Sequence, residues 1–175
     1  MRIAFTGSHR VGKTTLAEEI ADSLPDYEFI IEPYLQLEEE GYLFSEIPTL
    51  EDYIEQFNFS VEQLQNSDDN VIFDRCPLDL LAYIYAINKR KNVSTLYEEM
   101  TTTIAEIDLL IFVPIEKVDL IGCQESDLPN LRHEVNDILE DWIGDFSNEI
   151  LEVSGTLDDR KKQVLDKIAN MENKS

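Results

Sequence analysis

The chain has 175 residues, 43% of them hydrophobic and 9% aromatic, which supports one core burying about 70% of the unfolded surface and excludes global disorder. Fourteen Lys and Arg against 37 Asp and Glu give a formal charge of −23, which repels nucleic-acid backbones and anionic lipid and argues against both as partners. Any phosphate chemistry therefore has to take place in a locally positive pocket. Cys76 and Cys123 are the two cysteines, with no C-x-x-C spacing, so a disulfide framework and a structural zinc site lack material. The N-terminal apolar run ends at Gly7, too short for the core of an export signal. No stretch approaches the roughly 18 apolar residues of a membrane span. A soluble, cytoplasmic protein is expected.

Short apolar runs alternate with longer amphipathic stretches, the pattern of a parallel α/β sheet covered by helices. In chain order the expected strands are Ile3–Thr6, Glu28–Ile31, Val71–Asp74, Leu109–Val113 and Ile150–Val153. Three-and-four spacing predicts helices over Lys13–Ser23, Leu50–Gln65, Leu78–Lys89, Tyr97–Ala105, Asn130–Phe146 and Asp158–Met171. Glu38–Pro48 and Pro114–Pro129 fit neither period and are long for α/β connections, so both are expected as loops over a site. The acidic run Glu38, Glu39 and Glu40 reads as a solvated face, and the tail after Met171 as frayed.

The strongest motif is Gly7-Ser8-His9-Arg10-Val11-Gly12-Lys13-Thr14, which fits G-x-x-x-x-G-K-[ST] at every fixed position. A strand precedes it and a helix starting through Thr14 and Thr15 follows, as this Walker A pattern requires. Glycines let backbone N–H groups turn inward around phosphate oxygens, the helix adds its positive end, Lys13 adds a full charge, and Thr14 can ligate Mg²⁺. His9 and Arg10 hold variable positions and are expected to face solvent.

Asp74-Arg75 follows the third strand and precedes Pro77, at a strand carboxyl end where open parallel sheets do their chemistry. Asp74 could hold magnesium or take a proton, and Arg75 could clamp a phosphate; the alternative is a surface ion pair. Glu32, fixed by Pro33 at the second strand end, is another candidate base. Gln56-Phe57 offers an amide and an aromatic face for a planar ring, although Phe57 could equally be core. Arg132 follows the irregular segment and could be carried by a lid, around residues 114–133, onto a phosphate. Ser154-Gly155-Thr156 is a tight turn able to cradle a purine, or an ordinary connection with Thr156 as helix N-cap.

Together these residues resemble the P-loop kinases of small molecules, the group of nucleoside monophosphate kinases, deoxynucleoside kinases and ribosylnicotinamide-kinase-like domains. The resemblance spans nearly the whole chain. It implies a three-layer P-loop NTPase fold, a five-stranded parallel sheet in order 2-3-1-4-5 with helices on both faces, within one domain over residues 1–175. Asp74-Arg75 resembles the acid-Arg pair of these kinases. Glu32-Pro33 resembles the Glu-Pro of deoxynucleoside kinases, which implies Glu32 as the base for the acceptor hydroxyl. Gln56-Phe57 is similar to their base-holding glutamine region, with the two residues reversed, and Gly155 and Thr156 to their adenine-side loop. Family lids carry two or more arginines, whereas this one offers Arg132 alone.

The expected function is transfer of the ATP γ-phosphoryl group to a hydroxyl or phosphate of a small nucleoside-like acceptor. ATP and Mg²⁺ would be held by Gly7–Thr15, Gly155 and Thr156, with Thr14 and Asp74 as metal ligands. Lys13, Glu32, Asp74, Arg75 and Arg132 would carry catalysis, and Glu32, Gln56, Phe57 and Arg75 would bind the acceptor. A homodimer is compatible with this. The alternatives are a nucleotide-sensing switch or ATPase accessory protein, and a nucleic-acid 5′-end or modified-base kinase, against which the charge weighs.

Overall fold

The computed structural model describes residues 1–119 and 121–173. Five parallel strands, β1 (Arg2–Thr6), β2 (Glu28–Ile30), β3 (Val71–Phe73), β4 (Leu109–Phe112) and β5 (Glu149–Glu152), form one sheet in the order β2-β3-β1-β4-β5. The described helices are α1 (Lys13–Ser23), α2 (Pro33–Glu39), α3 (Leu50–Asn66), α4 (Pro77–Ile87), α5 (Ser94–Ile104), α6 (Pro129–Ile143) and α7 (Leu157–Glu172). None of the helices among the described residues is long and apolar enough to cross a membrane.

Alternation along each strand builds two cores, because successive side chains point to opposite faces. Ile3, Phe5, Ile72, Leu109 and Ile111 pack beneath α1 and α7 with Leu16, Ile20, Val164 and Ile168. Ala4, Val71, Phe73, Leu110 and Phe112 face the other way, onto a larger core with α3, α4, α5 and α6. Helix α4 is apolar nearly all round, and Leu78, Leu80, Leu81, Ala82 and Ile84 are each 0% exposed. A helix of that kind belongs in the interior, and α4 accordingly packs against α3, α5 and α6.

The order of strands places the site. From β1 the chain crosses to the edge at β2, comes back to β3 beside β1, then passes to the other side of β1 for β4 and β5, so connections leave the carboxyl end of central β1 beside those of β3 and β4. Ala4 lies level with Phe73, which brings the loop after β1 next to Asp74.

The structure adds a helix to those expected from the sequence. Residues Pro33–Glu39 form α2, a two-turn helix with Pro33 at its first turn and only Pro33 and Leu37 buried, too little periodicity to reveal it. The expected loop at Glu38–Pro48 thus begins inside a helix, while Glu38, Glu39 and Glu40 are exposed. Among its described residues the segment after β4 contains a single 3₁₀ turn, Glu125–Asp127, and then Pro129 opens α6. Leu120 of that segment lies outside the described residues, as do the last two residues of the tail.

Phe57 corrects the expectation of a base-holding aromatic. It is 0% exposed and belongs to the core between α3 and the sheet, because adjacent residues on a helix point about 100° apart and only one of Gln56-Phe57 can face a cavity. Phe57→Ala is expected to reduce unfolding free energy by about 3–5 kcal/mol in denaturant titrations, with nucleotide affinity of the folded protein unchanged.

Candidate active site

The glycine loop occupies the gap between β1 and α1. Gly7 has φ 155°, and a Cβ there would sit 2.4 Å from the Val113 carbonyl oxygen, so no larger residue fits between the loop and the end of β4. Its N–H donates to Asp79 Oδ1 at 2.6 Å. Asp79 stands three residues after Cys76 in the first turn of α4, fully buried, and its other oxygen accepts from the Cys76 N–H at 3.1 Å. One carboxylate therefore joins the start of the loop to the turn after β3. Burial pushes the Asp79 carboxyl above its ordinary value, against the opposing pull of Lys13, Arg75 and those two N–H groups. The sequence reading did not single out Asp79; the capping-box spacing from Cys76 was its available signal.

Lys13 and Asp74 meet in this gap, Nζ to Oδ1 at 2.9 Å, with side chains 4% and 1% exposed. Burial works against the Asp74 charge, but Lys13 and a hydrogen bond from Thr14 outweigh it and hold the carboxyl below its ordinary value. An ionised carboxylate and a neighbouring hydroxyl suit a hydrated hard cation completed by substrate oxygens. Among the described residues there is no cluster of three or more His, Cys, Asp or Glu able to hold a metal unaided. The Ser8 Oγ is buried in the loop without a hydrogen-bond partner.

Three cavities share walls here. A trough runs along Ser8–Thr15 and reaches Glu32 and Arg75. On one side it adjoins a cavity of about 290 Å³ lined by Val11, Gly12, Ile115, Arg132, Thr156 and Arg160, among others. On the other it adjoins a cavity of about 300 Å³, whose walls include Glu32, Tyr34, Gln56, Arg75, Tyr83 and Asp127.

In the second cavity Arg75 Nε lies 3.2 Å from Glu32 Oε2, and its guanidinium sits 5.5 Å from the centre of the Tyr83 ring. Arg75 has φ 118°, a conformation rare outside glycine and held only where the surroundings over-determine it. Burial opposes its charge, but Glu32, with Tyr83, Asp79 and Asp74, outweighs that and raises its pKa. Tyr53 stacks on Tyr83 at 4.9 Å, 5° from parallel. Gln56 is buried, lines this cavity, and donates to the Asp52 carbonyl at 3.1 Å. Arg10 is exposed and pairs with Asp127 at 2.9 Å.

His9 does not face solvent, contrary to expectation. Its Nε2 lies 2.5 Å from the Asp127 carbonyl oxygen, and its Nδ1 lies 2.7 Å from the Tyr83 hydroxyl. A carbonyl only accepts, so Nε2 carries the proton and Nδ1 accepts from Tyr83, whose oxygen accepts from the His9 N–H at 2.8 Å. The ring is thus satisfied in its neutral form, pinning the 3₁₀ turn to the glycine loop.

In the first cavity Arg132 and Arg160 are the prominent side chains. Arg132, only 1% exposed, donates from Nε to the His9 carbonyl at 3.0 Å and from Nη2 to the Arg10 carbonyl at 2.9 Å. Asp119 grips its Nη1 at 2.5 Å and Nη2 at 3.1 Å. Arg160 of α7 donates to the Val11 carbonyl at 2.8 Å and the Gly155 carbonyl at 3.0 Å, and pairs with Glu116 at 3.1 Å. Sequence reasoning missed Arg160: in the acidic-basic pattern of α7 nothing distinguishes it from Lys161 and Lys162, which follow it. Gly155 donates to Glu116 at 2.6 Å, and Thr156 caps α7 through a reciprocal pair with Asp159 while also lining the cavity.

A family model described as an AAA domain matches residues 2–160. The chain belongs to this AAA-domain family. Its fold is that of P-loop kinases. Deoxyadenosine kinase from M. mycoides, solved with products, is 17% identical over 98% of this chain and 100% of that one, at a TM-score of 0.65. Thymidylate kinase from Candida albicans is 19% identical over 99% and 92%, at 0.64. Shikimate kinase from Aquifex aeolicus is 17% identical over 100% of both chains, at 0.61. No curated protein matches the chain in sequence.

His9 gives a pH prediction. Burial, with the charges of Arg75 and Arg132, lowers its pKa below the ordinary 6.5 despite Asp127. A depressed folded pKa means the unfolded chain binds more protons just below pH 6.5, so this contribution is complete above that pH and is lost as pH falls toward the folded value. Urea unfolding between pH 7.5 and 5.5 (about one unit either side of the reference value) should show a steeper loss of stability for the wild type than for His9→Gln.

Proposed function

We propose that the protein transfers the γ-phosphoryl group of ATP to a hydroxyl of a small, uncharged, nucleoside-like acceptor. The observation that carries this reading is the charge balance of the cavity beside Glu32. Its two cations, Arg75 and Arg10, are each paired with a carboxylate that also lines it, Glu32 and Asp127. A phosphorylated acceptor would bring negative charge against both carboxylates with no unpaired arginine or lysine among the lining residues. A hydroxyl donor finds in Glu32 an acceptor for its proton.

In this reading the loop N–H groups and Lys13 bind the β- and γ-phosphates, for which Lys13 exchanges its contact with Asp74. Thr14 and Asp74 would hold Mg²⁺, which when bound offsets charge on the transferring group. Glu32 takes the proton of the acceptor hydroxyl as its oxygen bonds to the γ-phosphorus, while the bond to the β–γ bridging oxygen breaks and ADP leaves. Arg75, held cationic, sits beside that transfer. The cavity flanked by Arg132, Arg160, Gly155 and Thr156 receives the base of ATP, with planar guanidinium groups in its wall. The fold shared with nucleoside, nucleotide and shikimate kinases supports phosphoryl transfer to a small acceptor and leaves the acceptor to the site's own chemistry.

The deciding experiment is ADP release from Mg·ATP with a panel of nucleosides, their monophosphates and ribosylnicotinamide. A nucleoside should raise ADP release where its monophosphate does not, Lys13→Ala should abolish the effect, and Glu32→Gln should reduce it by about 10²–10⁴-fold. Preference for a monophosphate with Glu32→Gln unaffected would overturn the hydroxyl acceptor. A flat panel with tight ATP binding would favour a nucleotide-responsive switch, a reading supported by the contacts that bind the segment after β4 to the glycine loop.

A further inference from the structure

The geometry points to Arg132 and Arg160 as positioning residues that set the phosphate nest from behind the glycine loop. This rests on the phosphate-binding reading of Gly7–Thr14. In a trans peptide the C=O of one residue and the N–H of the next lie in one plane and point in opposite directions. Arg132 holds the carbonyls of His9 and Arg10, and Arg160 holds that of Val11. Three consecutive peptides are thereby gripped by their oxygens. The N–H groups of Arg10, Val11 and Gly12 must then point away from the two guanidinium groups, and none of them has a hydrogen-bond partner among the described residues.

The neighbouring N–H groups are treated differently. Those of Gly7 and His9 are taken up by Asp79 and Tyr83. The loop thus separates N–H groups that bind protein from a run, beginning at Arg10, with no partner among the described residues, beside the Lys13 ammonium and the unpartnered Ser8 hydroxyl. Free N–H groups fixed before a ligand arrives bind an anion without reorganising, which is the basis of a nest's affinity.

The arginines are themselves held. Asp119 takes two nitrogens of Arg132, and Glu116 bridges Arg160 and the Gly155 N–H. With Nε, Nη1 and Nη2 all engaged and 1% exposure, Arg132 acts on the phosphates through the loop rather than by touching them. Lysine cannot substitute, because one ammonium cannot grip two carbonyls and a carboxylate in a fixed fork.

The probe is inorganic tripolyphosphate with Mg²⁺, titrated calorimetrically; it has no base and so does not depend on the cavity that both arginines line. Arg132→Met, Arg160→Met and Arg132→Lys should each weaken its binding about tenfold or more. Before any ligand is added, the ¹⁵N amide signals of Arg10, Val11 and Gly12 should move in the same variants, a selective change that general loss of stability would not produce. If Arg132→Met fails to fold, Arg160→Met and the charge-retaining Arg132→Lys carry the test. Wild-type tripolyphosphate affinity in the folded variants, with a fall only in kcat for Arg132→Met, would overturn the inference and make that arginine catalytic. Failure of the wild type to bind tripolyphosphate, with Lys13→Ala no different, would overturn the phosphate-loop reading itself.

Discussion

A lysine buried to 4% exposure needs a counter-charge, and Lys13 finds one in Asp74 at the end of the neighbouring strand. Much of the site is arranged around that pairing. It requires β1 and β3 to be adjacent and in register, Gly7 to let the chain pass the carbonyl of Val113, and Asp79 to tie the start of the loop to the turn after β3. Because the pair is neutral as a unit, the proposed phosphate binding in a chain of charge −23 rests on Lys13 turning from Asp74 to the anion and on the loop N–H groups beside it.

The same principle recurs at larger scale. Lys13, Arg75, Arg132 and Arg160 each meet a carboxylate, respectively Asp74, Glu32, Asp119 and Glu116. These pairs come from loops and helices far apart in the chain, so the site forms only as the whole sheet assembles. Their carboxylates do more than neutralise: each fixes the direction in which a flexible cation points. In an unpaired site those side chains would lose that direction to rotamer freedom.

The sheet was legible because its strands are short apolar runs whose alternation admits little else, and all five appear within a residue or so of their expected bounds. The glycine loop was legible because its fixed spacing is a backbone requirement expressed in sequence. What escaped was encoded in three dimensions. Helix α2 buries only Pro33 and Leu37, so no period marks it. His9 has no local reason to turn inward; it does so because Tyr83, 74 positions away, and Asp127, 118 away, converge on its ring. Arg160 is one basic residue among several on α7, and its role depends on where that helix docks against α1. Gln56 and Phe57 were readable as a pair but not as a choice, which the orientation of α3 decides.

Arg132 stands in the first turn of α6, directly after the segment that walls both flanking cavities, and it joins Asp119 of that segment to two carbonyls of the glycine loop. The shape of the glycine loop and the seating of α6 are therefore coupled through one side chain, so that a helix start and loop residues 122 and 123 positions upstream of Arg132 behave as a single mechanical part.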